Sequence, residues 1–255
     1  MARILITGST DGLGLANART LLAAGHEVIL HARSPERASD LGALAQRSAG
    51  IVTGDLSSIT ETRDLAEQVN TIGRMDAVIH NAGVYLSSTR IATVDGHSRT
   101  LAVNVLAPYL LTALIERPDR LVYVTSGMHL GASGDLDDID WTSRRWNASA
   151  AYSESKLHVA ALAAAVARHW TDVRSNSVDP GWVPTKMGGP GAPDDLELGH
   201  LTQVWLAAGD DPAANVTGAY WHHQRQQSPA PEVTDVAFQD RLIGTLTKLT
   251  GTSLF

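Results

Sequence analysis

Tyr152 and Lys156 stand four residues apart in a stretch, Ser149 to His169, whose alanines and apolar periodicity predict one long helix, so phenol and amine share a face. A free phenol titrates near pKa 10 and is a poor proton donor or acceptor at neutrality. A fixed ammonium one turn away favours the ionised form and draws that pKa toward the working range. Ser126 ends the β-rich run Leu121 to Thr125, where its hydroxyl could hydrogen-bond the oxygen that receives the proton. Thr125 competes for this place, but strand alternation lets only one of the two neighbours face a pocket. Asn104 falls inside a helical pattern that Pro108 should kink, and a kink frees a backbone carbonyl.

A second constellation precedes these. Thr7-Gly8-Ser9-Thr10-Asp11-Gly12-Leu13-Gly14 follows a first strand and opens a first helix. A side chain at Gly8 or Gly12 would crowd the turn and an approaching pyrophosphate, while the helix start aims unpaired amides and its positive dipole end at that anion. The chain has no cysteine, so a redox reaction here needs a borrowed cofactor.

These residues need a scaffold that brings strand ends together. Short β-rich runs at 3–7, 27–32, 50–53, 75–80, 121–125, 173–178 and 217–221 alternate with helical patterns at 12–24, 35–47, 59–72, 93–115, 149–169, 197–208 and 234–249. The alternation predicts a single α/β domain over 1–255, a Rossmann-like doubly wound parallel sheet of seven strands with helices on both faces. Two stretches read as substrate loops, at about 127–148 and 180–196; the first contains an apparent insertion from Gly131 to Asn147.

Twenty Lys and Arg against 27 Asp and Glu leave a formal charge of −7, which argues against nucleic acid and membrane surfaces as partners. No apolar run approaches the roughly 20 residues of a membrane helix, and residues 1–7 lack the apolar core of a signal peptide, so a cytoplasmic protein is expected. Adjacent His222 and His223 would point to opposite faces of a strand, with no third ligand at metal spacing, so no metal site is expected.

The Gly-x3-Gly-x-Gly string, Asn81-Ala82-Gly83, Asn104, Ser126, Tyr152-x3-Lys156 and Pro180-Gly181 occur in the order found in the short-chain dehydrogenase/reductase family, which the chain resembles over nearly its whole length. The resemblance implies Tyr152 as the proton donor or acceptor at the substrate oxygen, Lys156 as its tuner and a grip on the nicotinamide ribose, and Ser126 as polariser of the oxygen. It implies that Asn104 holds a water linking the lysine to solvent. Cofactor contacts are implied for Gly8, Ser9, Thr10, Gly12, Leu13, Gly14, Arg33, Asp55, Leu56, Asn81, Ala82, Gly83, Tyr152, Lys156, Pro180, Gly181, Val183 and Thr185. Asp55 reads equally as a helix cap. The family usually has Asn where His80 stands, a departure that concerns local hydrogen bonding.

The second strand ends His31-Ala32-Arg33, with no acidic residue to accept from a ribose, and an Arg there suits a 2′-phosphate. NADP(H) is therefore expected over NAD(H), which stays open. The stretch from Ser126 through Trp141 to Leu157 looks like the retinol dehydrogenase and WW-domain oxidoreductase branch, which often handles bulky apolar alcohols and carbonyls. Tyr85, Met128, Trp182 and Met187 are expected to contact such a substrate, with Leu130 and Trp146 as further candidates; Trp182 reads equally as core. The expected activity is hydride transfer between NADP(H) and a small-molecule carbonyl or secondary alcohol. The alternative is a non-catalytic NADP(H) sensor on the same fold. A homodimer, a homotetramer and a monomer all stay open.

Overall fold

The computed structural model describes residues 1–85 and 87–255. Its elements are β1 (Arg3–Ile6), α1 (Gly12–Ala23), β2 (Glu27–Ala32), α2 (Pro35–Ser39), α3 (Ala43–Arg47), β3 (Gly50–Thr53), α4 (Ile59–Ile72), β4 (Ala77–His80), α5 (Arg99–Leu101) and α6 (Ala107–Leu114). After them come β5 (Arg120–Val124), α7 (Ala148–His169), β6 (Arg174–Asp179), α8 (Leu196–Ala208), β7 (Tyr220–His222), β8 (Arg225–Gln227), α9 (Pro231–Thr234) and α10 (Val236–Thr250). A π-helical turn, Ala102–Leu106, joins α5 to α6, and short 3-10 turns follow β5 and α8.

One sheet runs in the order β3-β2-β1-β4-β5-β6-β7-β8. All neighbours are parallel except β7 and β8. The strand order reverses between β1 and β4, so the connections leave the sheet in opposite directions there and open a crevice at the carboxyl ends. Central strands are buried on both faces, and the alternate side chains of β1 show why: Ile4 and Ile6 pack toward α1 and α8, Leu5 toward α4, α6 and α7.

The described residues form eight strands where the sequence predicts seven. The extra strand pairs through a tight turn in which His223 and Gln224 both have positive φ, 46° and 58°. Such turns normally carry Asn-Gly or Asp-Gly, so His-Gln offers no hairpin signal. The turn also places the rings of His222 and His223 in a stack, centroids 3.9 Å apart, rather than on opposite faces. The helix expected at 35–47 is broken at Gly42, whose φ is +50°. The helix expected from 93 begins at Arg99; before it the chain closes a small loop with Ala92 bridged to Ser98.

The stretch between β5 and α7 is irregular because its acidic residues are spent on fixing loops. Asp140 accepts from the Ser98 N–H at 2.6 Å and from His97, and pairs with Arg90. Glu154 on α7, 3% exposed, is held by Arg144 and by the Trp141 indole N–H at 2.9 Å. The second face of α7 is covered by α9 and α10.

Four buried histidines bear on stability. Burial pushes His80 and His158 down to about 3, and lowers His31 and His129 as well. Among the described residues His158 has no hydrogen-bond partner at either ring nitrogen. In the unfolded chain these rings titrate near 6.5, so between that value and the folded one the unfolded state binds more protons. The histidine contribution to stability is therefore complete above about pH 6.5 and should fall by about 1.4 kcal/mol per pH unit for each such ring as the pH drops toward the folded pKa. Urea titrations from pH 7 to 4 should show this slope, and His158→Phe should flatten it. An unchanged slope in that variant would refute the account.

Candidate active site

The carboxyl ends of β1, β2, β4, β5 and β6 open into one cleft of about 1010 Å³. Its phosphate side is built by the glycine turn. Gly8 has φ +66°, and a Cβ there would lie 3.1 Å from the Ala82 Cα. A Cβ on Gly14 would come within 2.2 Å of the Gly8 carbonyl oxygen, so this glycine lets the helix start press against the turn. Asn81 ties the two walls together: its Nδ2 donates to the carbonyls of Thr7 and Gly8 at 2.9 and 3.2 Å. Thr7 Oγ1 accepts from the N–H groups of Asn81 and Ala82.

The side chain of Asp11, the N-cap of α1, accepts no hydrogen bond from that helix. It is engaged by Lys186 at 2.9 Å and Arg37 at 3.4 Å. The first amides of α1 are thus left to an anion. Gly8, Thr10, Gly12 and Leu13 line the cleft, whereas Ser9 turns inward and its hydroxyl bridges the Ile6 carbonyl and the His31 N–H. Arg33 lines the cleft mouth with an exposed side chain and, among the described residues, no ion pair. Asp55 and Leu56 line the adjoining wall with Asn81, Ala82 and Gly83. The cap of α4 is Ser58, which accepts from the Glu61 N–H; Asp55 instead accepts from the Ser57 N–H in a turn.

The opposite half of the cleft holds the chemistry. Tyr152, Lys156 and Ser126 all line it. The Tyr152 ring meets Tyr85 edge-on, with centroids 4.5 Å apart and planes at 82°. Lys156 Nζ lies 5.6 Å from the Tyr152 ring centre and donates to the Val124 carbonyl at 2.8 Å. That carbonyl lies one residue past Tyr123, the last β5 residue paired with β4. Gly83 lies against the amine: a Cβ there would be in ordinary contact with Nζ, at 3.4 Å. The Thr125 hydroxyl is spent on the Lys156 carbonyl at 2.7 Å, which leaves Ser126 as the hydroxyl facing the cleft.

Asn104 does not line the cleft. Its Oδ1 accepts from the Val84 N–H, and its Nδ2 donates to the Val84 carbonyl and to Ser155 Oγ. Ser155 in turn donates to the Tyr152 carbonyl at 2.7 Å, so Asn104 clamps the exit of β4 to α7. The distortion around it is a π-helical turn rather than a simple proline kink. Pro108 has no N–H to offer the Asn104 carbonyl four residues earlier. His80 points away from the cleft, stacked on Tyr123 and bonded to Thr112.

The electrostatics differ from expectation. Burial raises Tyr152 above its ordinary value; the Ser126 hydroxyl opposes the shift, while Tyr85 and Asp179 add to it. Burial also pulls Lys156 down to about 8, with Asp179 opposing. In the protein by itself, desolvation outweighs the Ser126 hydrogen bond, and the phenol is protonated at neutral pH.

Pro180, Gly181, Val183 and Thr185 line the cleft along the loop after β6. Trp182 is 60% exposed and Met187 43%, so both are rim rather than core. Tyr85 and Met128 meet at the far wall, hydroxyl to sulfur 4.0 Å. Leu130 and Trp146 do not line the cleft; Trp146 donates to the Ser87 carbonyl and packs on Trp141.

Asp179, absent from the expected set, lines the cleft beside His222. Its carboxylate accepts from the Gly181 N–H at 3.0 Å and the Tyr220 hydroxyl at 3.4 Å. Its place just before Pro180-Gly181 was the available signal. Arg99, the first residue of α5, and Val94, in the loop before it, also line the cleft; both fall in the helical pattern at 93–115, which gives no sign of a site.

Residues 8–208 match a family model described as enoyl-(acyl carrier protein) reductase. The chain is 45% identical to the short-chain dehydrogenase chyC of Penicillium rubens, covering all of this chain and 99% of that one. It is 28% identical to human retinol dehydrogenase 13, over 97% of this chain and 84% of that one. A solved structure of a Mycobacterium paratuberculosis protein superposes with a TM-score of 0.83 at 26% identity, covering 100% of this chain and 95% of that one.

Proposed function

Because this chain belongs to the short-chain dehydrogenase/reductase family, we propose that it transfers a hydride between NADP(H) and a carbonyl or secondary alcohol carbon, with Tyr152 moving the proton. The observation that carries the reading is one cleft lined at one end by the uncapped start of α1 and at the other by Ser126, Tyr152 and Lys156. The amides of α1 would hold the diphosphate, Arg33 the 2′-phosphate, and Lys156 the nicotinamide ribose. Bound NADPH supplies the hydride.

The chain's own groups do the rest. Ser126 donates a hydrogen bond to the carbonyl oxygen and polarises it. Tyr152, protonated at neutral pH, donates its proton to the same oxygen as charge develops there, so no free alkoxide forms in water. Lys156, cationic below about pH 8, stabilises the phenolate left behind and is the entry point for its replacement proton. Asn104 is the positioning residue that keeps β4 and α7 in register around this pair. Tyr85, Met128, Trp182 and Met187 present an apolar and aromatic surface suited to a bulky apolar substrate.

The chain contains no described helix long and apolar enough to cross a membrane, which is compatible with a cytoplasmic enzyme acting on small molecules. The deciding experiment is an NADPH-consumption screen over aldehydes, ketones and quinones, repeated with NADH. Turnover with NADPH is expected, and Arg33→Ala should weaken NADPH by about 10- to 100-fold while NADH changes little, because one charge-assisted pair is lost. Tight nucleotide binding without turnover of any carbonyl would favour a nucleotide sensor.

A further inference from the structure

His31 is 3% exposed and lies at the end of β2, where the glycine turn, β2 and the connection from β3 to α4 converge. Its Nδ1 is 2.8 Å from the Gly8 backbone nitrogen and accepts that N–H. The ring proton of the neutral imidazole therefore sits on Nε2, which is 2.9 Å from the Gly54 carbonyl and donates to it. Two further bonds fasten the same strand end to the turn: Ser9 N–H to the His31 carbonyl at 3.0 Å, and His31 N–H to Ser9 Oγ at 2.9 Å. Gly8 begins the phosphate cradle, and Gly54 precedes Asp55 and Leu56 on the adjoining wall.

We propose that the neutral His31 imidazole is the positioning residue that latches the phosphate-binding turn to the Asp55 wall of the cleft, Gly8 on one nitrogen and Gly54 on the other, and that a second proton on the ring releases the turn and weakens dinucleotide binding. A second proton can go only to Nδ1. There it turns an acceptor into a donor that faces the Gly8 N–H, and the bond becomes a repulsive contact. The charged groups on the elements around the ring are Asp55 after β3, Arg33 beyond the end of β2, Arg37 on α2 with its partners Asp11 and Asp40, and Glu61, which accepts the Asp55 N–H. Burial, the largest effect, disfavours the protonated ring, and the Gly54 carbonyl and Asp55 favour it. The latch is thus closed at neutral pH.

The inference rests on the cleft being a dinucleotide site, and the test separates the two. An Asn side chain at 31 carries its oxygen near the Nδ1 position and cannot titrate; a Gln side chain reaches toward Nε2 and offers no acceptor near Gly8. NADPH binding is measured by fluorescence titration on purified wild type, His31→Asn and His31→Gln, with circular dichroism to establish that each is folded. At about pH 8, His31→Asn should bind within about threefold of wild type and His31→Gln about tenfold or more weakly, the cost of one unpaired backbone donor at the anion site. As the pH is lowered from about 8 to the lowest value at which circular dichroism shows each form folded, every form loses affinity as the 2′-phosphate takes a proton, and wild type should lose about threefold or more beyond His31→Asn at the low end. Equal affinity of the two variants overturns the latch. Equal pH dependence of wild type and His31→Asn overturns the proton-driven release, a comparison that stands even if His31→Gln fails to fold. Absence of NADPH binding to wild type at pH 8 overturns the cofactor reading and the latch together.

Discussion

Tyr152→Phe should lower kcat by about 10³-fold while NADPH binds with its wild-type affinity, because the hydroxyl is the only group lost and its part is to move the proton. The site makes this variant informative. Tyr152 is buried and its ring is fixed edge-on by Tyr85, contacts that phenylalanine keeps. Thr125, the hydroxyl next to Ser126 in sequence, is spent on the Lys156 carbonyl and cannot substitute. Single-turnover measurement with preloaded NADPH separates the proton step from binding and release. Full turnover in this variant would exclude the mechanism.

Lys156→Met should lower kcat/KM by about 10²- to 10³-fold and raise the thermal stability of the protein without cofactor. Both effects have one origin. The amine is 4% exposed and burial pulls it down to about 8, so the fold holds a cation at a desolvation cost that a thioether does not incur. The Val124 carbonyl loses its donor in the variant, which offsets part of the gain. A rise in Tm of about 2 to 4 °C per kcal/mol gained is the scale for a chain of this size.

The pH dependence of Lys156 has a defined sign. The folded pKa lies below the ordinary 10.5, so between about 8 and 10.5 the unfolded chain binds the extra proton. The stability of wild type should therefore rise relative to Lys156→Met across that window, while its kcat/KM for carbonyl reduction declines above about pH 8 as the cation is lost. Scanning calorimetry and initial rates at matched pH values read the two trends. A variant that is both less stable and fully active would contradict the assignment of this amine.

Much of the fold was legible because its signals are local. A β-rich run followed by a turn and an apolar periodicity needs no partner to be recognised, and α1, α4, α7 and α8 lie within a residue of the predicted bounds. The hairpin β7-β8 escaped because its turn uses His223 and Gln224 at positive φ, where the common residues would have announced it. Leu130 and Trp146 were misjudged as pocket residues for a related reason: loop side chains take their direction from what they pack on, and for Trp146 that is Trp141 and the Ser87 carbonyl.

By itself the sequence determined which side chains can meet, since Tyr152 and Lys156 share a helix face by covalent spacing and Gly8, Gly12 and Gly14 share a turn. What only the tertiary structure decided is the state in which they meet. Solvent exclusion at Tyr152 and Lys156 comes from β5, β6, Tyr85 and the Asn104 clamp, all distant in the chain, and it reverses the pKa shift that spacing alone suggested for the phenol. The imidazole between Gly8 and Gly54, and the carboxylate of Asp179 beside the cleft, likewise exist as functional groups only once strands far apart in sequence lie side by side. Desolvation and hydrogen-bond direction depend on every neighbour in space, and a linear pattern records only the neighbours along the chain.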